Sequence, residues 1–155
     1  MKTAQHWFDD YAVSHQHKTN QAIHYICVPA IFFSVIGLLF SIPVSFLEAL
    51  FNLYNPFIEN WAAIATIGIL FFYARLGLWA FINMLFFSLV CIIGNYWLSR
   101  FGNIAWISLG IFAIAWIGQF YGHHLEGKKP SFVKDLQFLL IGPLWVLHKL
   151  GSKYV

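Results

Sequence analysis

Charge is what this sequence has least of. Only 10% of its 155 residues are Asp, Glu, Lys or Arg, where a soluble domain carries roughly a quarter. With 60% hydrophobic residues, that scarcity excludes an ordinary water-soluble globule and points to a polytopic membrane protein embedded in a lipid bilayer. The basic residues are scattered rather than patched, which excludes nucleic acid as a partner. Cysteine is scarce too. Cys27 and Cys91 lie in apolar stretches, with neither the spacing of a zinc site nor the setting of a disulfide framework, and read as buried thiols. The first twenty residues hold no apolar run and no small-residue cleavage site, so no signal peptide is expected. There is no P-loop, no dinucleotide glycine fingerprint, no Gly-x-Ser-x-Gly and no zincin His-x-x-x-His pair. No fixed-period repeat or heptad is present either.

What the chain does have is long uncharged runs. Residues 21–47 contain no Asp, Glu, Lys or Arg, and a helix needs about 20 apolar residues to cross a hydrocarbon core of about 30 Å. A first crossing is therefore expected over 23–47, kinked at Pro29 and Pro43. Residues 48–60 form a polar turn with two glutamates and no base. Residues 61–98 suffice for two crossings that turn near 75–77, and 104–121 make a fourth. Residues 136–147 are too few to span and are interrupted by Gly142-Pro143, so they read as a short re-entrant or interfacial helix. At the other end Trp7, Phe8 and Tyr11 share a face at helical spacing, which suits a short helix lying on the bilayer. The expected fold is all-α: one domain over 1–155, a bundle of four transmembrane helices plus that short C-terminal helix. Four crossings would put the lysines at 2, 18, 128, 129, 134, 149 and 153 on one side, which the positive-inside rule makes cytoplasmic, together with both termini.

Against this apolar background the histidines stand out. His15, His17 and His24 fall within ten residues, just before the first long run, and His123 and His124 close the last one. The charge-derived topology brings both clusters to the same face of the membrane. Ionisable groups at membrane depth are costly and need a reason, and histidine is the commonest metal ligand among side chains. Helices that each bring ligands to a bundle interior are one way to build a metal site. Imidazoles beside a carboxylate, here Glu126, suit iron, zinc or copper, and a two-histidine, one-carboxylate set suits non-haem Fe(II) in particular. His123 and Glu126 are three apart, neighbours on one helical face. A chain break near 18–19, capped by Thr19 or Asn20, would let His15 fold back toward His24, with Asn20 one turn before His24. His6 and His148 read as ordinary interfacial side chains, and His17 as ambiguous. A different class of reading also fits the residues: a non-enzymatic membrane module that binds haem or metal through paired histidines.

Tyr11-x-x-x-His15, Asn20-x-x-Ile23-His24 and Val28-Pro29 resemble the start of the membrane 2-hydroxy fatty acid dioxygenase family. That family includes the fungal endoplasmic reticulum enzyme of phytosphingosine breakdown and bacterial relatives. The second block is similar to the family's other signature: Trp116-Ile117-Gly118-Gln119-Phe120-Tyr121-Gly122-His123, then Glu126-Gly127-Lys128-Lys129-Pro130. Gly142-Pro143-Leu144 matches a trailing element. The chain departs from the pattern at His17, where asparagine is frequent, and in the interval before Glu126, which is one residue shorter. Either His123 or His124 can therefore play the family histidine, and the preceding Gln119-Phe120-x-Gly122 favours His123.

The resemblance implies an oxidoreductase of fatty acid alpha-oxidation in lipid and sphingolipid metabolism. This would be an Fe(2+)-dependent dioxygenase that takes a 2-hydroxy fatty acid and O2 and shortens the chain by one carbon. It would sit in a bacterial inner membrane or the endoplasmic reticulum. On that reading His15, His24 and His123 bind the metal, and His124 is a candidate fourth ligand. Glu126 orients a ligand histidine or relays a proton, and Asn20 joins it as a candidate catalytic residue. Lys128 or Lys129 would attract the substrate carboxylate, or simply mark the cytoplasmic flank.

Overall fold

Long apolar runs leave the backbone no partners but its own, so within lipid the chain must be helical. The computed structural model is all-helical among its described residues, which are 3–13, 15–53, 55–127 and 132–151, the side chains of 132–137 excepted. Seven helices follow in order: α1 (Ala4–Ala12), α2 (Lys18–Phe40), α3 (Ser45–Phe51), α4 (Trp61–Leu76), α5 (Leu78–Leu98), α6 (Ile104–Leu125) and α7 (Phe132–Gly151).

Three of these, α2, α5 and α6, are long and apolar enough to cross a membrane, not four as the sequence suggests. α4 runs for 16 residues, about 24 Å at 1.5 Å per residue, short of a core of about 30 Å. The first run also stops early. Ser41 bonds back to Leu38 O and Pro43 has no N–H to continue the ladder. Pro43 therefore ends the segment where a kink was expected, and 45–51 becomes the separate helix α3. The placement of both termini on the cytoplasmic side rested on four crossings and loses that support. Of the lysines it used, Lys2, Lys128, Lys129 and Lys153, with the side chain of Lys134, lie outside the described residues.

The chain divides into two compact units. The first comprises Met1–Phe32 and Phe112–Val155. Here α1 packs on α7, and Phe8 and Tyr11 are buried against the protein instead of facing lipid. Phe8 stacks on His148, ring centroids 4.9 Å apart, and Tyr11 meets Phe138 and Trp145. α7 is longer than the segment expected at 136–147. It runs 20 residues straight through Gly142-Pro143, with 141–146 buried. A proline inside a helix costs roughly 3 kcal/mol, and the packing of this buried turn offsets it. Gly142 explains the fit, since a Cβ there would meet Val28 Cγ1 at 2.8 Å.

The second unit, Phe33–Ile111, holds α3, α4 and α5 with the end of α2 and the start of α6. α4 and α5 pack on each other across a one-residue reversal at Gly77, whose φ of 122° suits glycine alone. Buried Glu59 accepts the amides of Leu53 and Asn55, and Asn60 caps α4 through Ala63 N. Asn95 Nδ2 donates to the Phe33 and Cys91 carbonyls, the kind of polar link that holds helices together where no hydrophobic force does.

Candidate metal centre

Three segments of the first unit each deliver one buried imidazole. His15 comes from the link between α1 and α2, His24 from the second turn of α2, and His123 from the last turn of α6. Their ring centroids lie 4.2 Å apart for His15–His24, 5.1 Å for His24–His123 and 5.4 Å for His15–His123. One ring nitrogen from each can be chosen so that all three lie within 4.8 Å of one another. Ligand nitrogens about 2.1 Å from a common first-row metal sit roughly 3–4 Å apart, a spacing these rings approach.

The rings are already oriented for such a task. His15 Nδ1 is 2.6 Å from Tyr11 O and His24 Nδ1 is 2.9 Å from Asn20 O. A ring that donates Nδ1–H to a carbonyl keeps its lone pair on Nε2, the arrangement found behind most metal-bound histidines. His15 also lies flat on Tyr11, 4.0 Å between centroids and 4° between planes. The donor set thus fits a transition metal. Among the described residues the three histidines are the one such group, and it contains no carboxylate.

Close helix approach makes the convergence possible. A Cβ on Gly122 would sit 2.3 Å from Asn20 Oδ1, and one on Gly118 would sit 2.6 Å from Cys27 Sγ. These two glycines, one turn apart, let α6 lie against α2, as small residues do between membrane helices.

Glu126 lies one residue past the end of α6 at Leu125, its amide still bonded back to Gly122 O at 3.2 Å. Its carboxylate reaches the first histidine cluster. Oε1 accepts Gln16 N–H at 2.8 Å, while Oε2 accepts His17 N–H and Asn20 Nδ2–H, both at 3.0 Å. Partial burial works against ionisation, but the Gln16 amide, the Asn20 carboxamide and the His17 amide outweigh it and hold the carboxyl below its ordinary range. Gln21 Nε2 donates to His15 O at 2.7 Å, fixing the same strand of backbone from the other side.

The remaining histidines fall elsewhere. His124 is exposed and lies outside the three-ring group, because adjacent helical residues point about 100° apart. His17 is exposed and caps α2, its Nδ1 accepting Thr19 N–H at 3.2 Å. That is the capping role expected of Thr19 or Asn20, and α2 begins at Lys18, close to the expected break. His6 pairs with Thr3. Lys128 and Lys129 lie outside the described residues.

A cavity of about 30 Å³ opens beside the three rings. Val28, Ile31, Trp116 and Leu139 give it apolar walls, and Gln119 adds an amide that is hydrogen-bonded to the His24 ring. Gln119 was not singled out from the sequence as a site residue. Its position four before His123, hence on the same face of α6, is the signal that finds it.

Comparison with known proteins gives one clear match. A family model described as 2-hydroxy-palmitic acid dioxygenase Mpo1-like covers residues 1–154. No curated protein and no solved structure shows a significant match. The match extends over essentially the whole chain, both histidine clusters included, and the chain belongs to the 2-hydroxy-palmitic acid dioxygenase Mpo1-like family.

Proposed function

We propose that the protein is an iron(II)-dependent dioxygenase that shortens 2-hydroxy fatty acids by one carbon, with His15, His24 and His123 as the metal ligands. The observation that carries this reading is the convergence of three buried imidazoles from three segments in a chain that belongs to a dioxygenase family. Bound ferrous iron would supply the redox chemistry with O2 that no side chain here can.

The chain's own residues prepare the site. The carbonyls of Tyr11 and Asn20 hold the His15 and His24 rings in one tautomer. Three neutral imidazoles bring no negative charge, so a divalent ion held there keeps its full charge and favours an anionic partner such as a 2-hydroxy carboxylate. Glu126 and Asn20 are positioning residues: the carboxylate fixes the backbone beside His15, and Asn20 ties that carboxylate to the turn bearing His24. Val28, Ile31 and Trp116 give the cavity apolar walls.

The test is direct. Detergent-purified protein is given ferrous iron, air and a 2-hydroxy fatty acid, and the product is weighed by mass spectrometry. An acid one carbon shorter is expected from the wild type, and none from His24→Ala or His123→Ala protein that still inserts in the membrane. Full activity in either variant would overturn the ligand assignment.

A further inference from the structure

The cavity beside the three histidines is built from two matching stripes. On α2 it is lined by His24, Val28 and Ile31; on α6, read backwards, by His123, Gln119 and Trp116. Steps of four and three residues put each set on one helical face, and seven residues cover roughly 10 Å of axis. Both stripes begin at an imidazole and end in apolar surface. Trp116 continues outward into Phe112 and Phe120, ring centroids 6.0 and 5.4 Å away. Phe120 is exposed on a helix long and apolar enough to span a bilayer.

Gln119 is the anomaly in this lining. It is 6% exposed and, among the described residues, it is the one amide side chain that lines the cavity. A buried amide is costly unless hydrogen-bonded, and here the His24 ring serves. Gln119 thus stands beside a ring that the metal reading makes a ligand, with its carboxamide in the cavity wall. A carboxamide is well suited to meet a hydroxy acid there, since its N–H groups donate to a carboxylate and its oxygen accepts from a hydroxyl. It does so without burying a charge of its own.

Resting on the metal reading above, we propose that Gln119 is the residue that recognises the substrate, hydrogen-bonding the 2-hydroxy carboxylate head of a single-chain fatty acid whose tail leaves over Val28, Ile31 and Trp116 into lipid. The acid is thus taken from within the bilayer, and the site reads its α-carbon substituents.

The test separates metal binding from substrate binding. Detergent-purified protein is loaded with Co(II), whose visible absorption reports on its ligands, and is titrated with 2-hydroxypalmitate and with palmitate. Gln119→Ala is expected to hold Co(II) within about threefold of wild type. It should bind 2-hydroxypalmitate about tenfold or more weakly, the worth of a hydrogen bond to a charged group, and lose the preference over palmitate. Gln119→Glu keeps the shape and adds a negative charge, so it should hold Co(II) as tightly or more tightly while binding of 2-hydroxypalmitate collapses. This opposite movement is one that a merely structural role does not give, and Gln119→Glu carries the test if the alanine variant does not fold. Unchanged 2-hydroxypalmitate affinity in the variants overturns the proposal, as does a loss that only tracks weaker Co(II) binding. A wild type that binds Co(II) but no fatty acid overturns this proposal alone. A wild type that takes up no Co(II) overturns the metal reading and this proposal with it.

Discussion

The carboxylate of Glu126 and the backbone amide of Gln16 meet at 2.8 Å across 110 residues of chain. With the bonds to His17 N and Asn20 Nδ2, one side chain at the end of α6 holds the strand of backbone that carries His15. The link between α1 and α2 has no helical ladder to fix it at 15–17, so this clasp supplies the order that a helix supplies for His24 and His123.

Removing the clasp should therefore loosen the metal site without removing a ligand. Glu126→Ala is expected to weaken metal binding by about 10- to 100-fold, the usual cost of losing an outer partner of a metal site. Glu126→Gln, which keeps one acceptor oxygen, should fall between. A competitive titration with a chelator of known affinity measures both. Wild-type affinity in Glu126→Ala would show that His15 is positioned by other means.

The same clasp sets a pH dependence. The folded protein holds the Glu126 carboxyl below its ordinary value of 4.5. Its contribution is fully present above that ordinary value and is lost as pH falls through the lower folded one. Hydrogen exchange of the Gln16 and His17 amides should show extra protection in the wild type over Glu126→Gln at neutral pH. The difference should shrink progressively below pH 4.5. A difference that does not shrink as pH falls below 4.5 would mean that the carboxylate's charge is not what holds these amides.

Among the histidines, burial divides ligands from bystanders. His15→Ala, His24→Ala and His123→Ala should each bring stoichiometric metal close to zero in elemental analysis of purified protein. His124→Ala and His17→Ala remove exposed rings and should retain bound metal, the latter with some fraying of α2 because its cap is gone. Loss of metal in His124→Ala alone would move the site to the outer face of α6.

Much of this was legible in the sequence, and the misses share a cause. Uncharged runs announce α2, α5 and α6, and the two histidine clusters mark the ends of helices that do meet. What local pattern cannot show is how tertiary contact changes the meaning of a residue. Pro43, read as a kink, ends a helix, while Pro143, read with Gly142 as a break, sits inside one because the buried turn at 141–146 packs well enough to keep it. The spacing of Glu126 from His123 ties it to the second cluster, but nothing local shows that its carboxylate serves an amide 110 positions away. Thr19 and Asn20 are the better caps by type, yet the His17 ring takes the place, while Asn20 donates its Nδ2–H to Glu126 and its carbonyl meets the His24 ring.

Two glycines on α6 should respond oppositely to alanine. At Gly122 a Cβ would sit 2.3 Å from Asn20 Oδ1 and 3.5 Å from His24 Cε1. Asn20 is buried and tied to Glu126, so it cannot swing aside without undoing the clasp. Gly122→Ala should therefore cost about 1–3 kcal/mol, as overpacking does, and weaken metal binding as well, because the α2–α6 separation sets the His24–His123 distance. At Gly110 nothing lies within 4 Å of an added Cβ, and alanine there should raise stability by about 0.5–1 kcal/mol through helix preference alone. Thermal unfolding in detergent, with and without added metal, compares them. If Gly122→Ala matched Gly110→Ala in both measurements, close contact between α2 and α6 could not be what brings the imidazoles together.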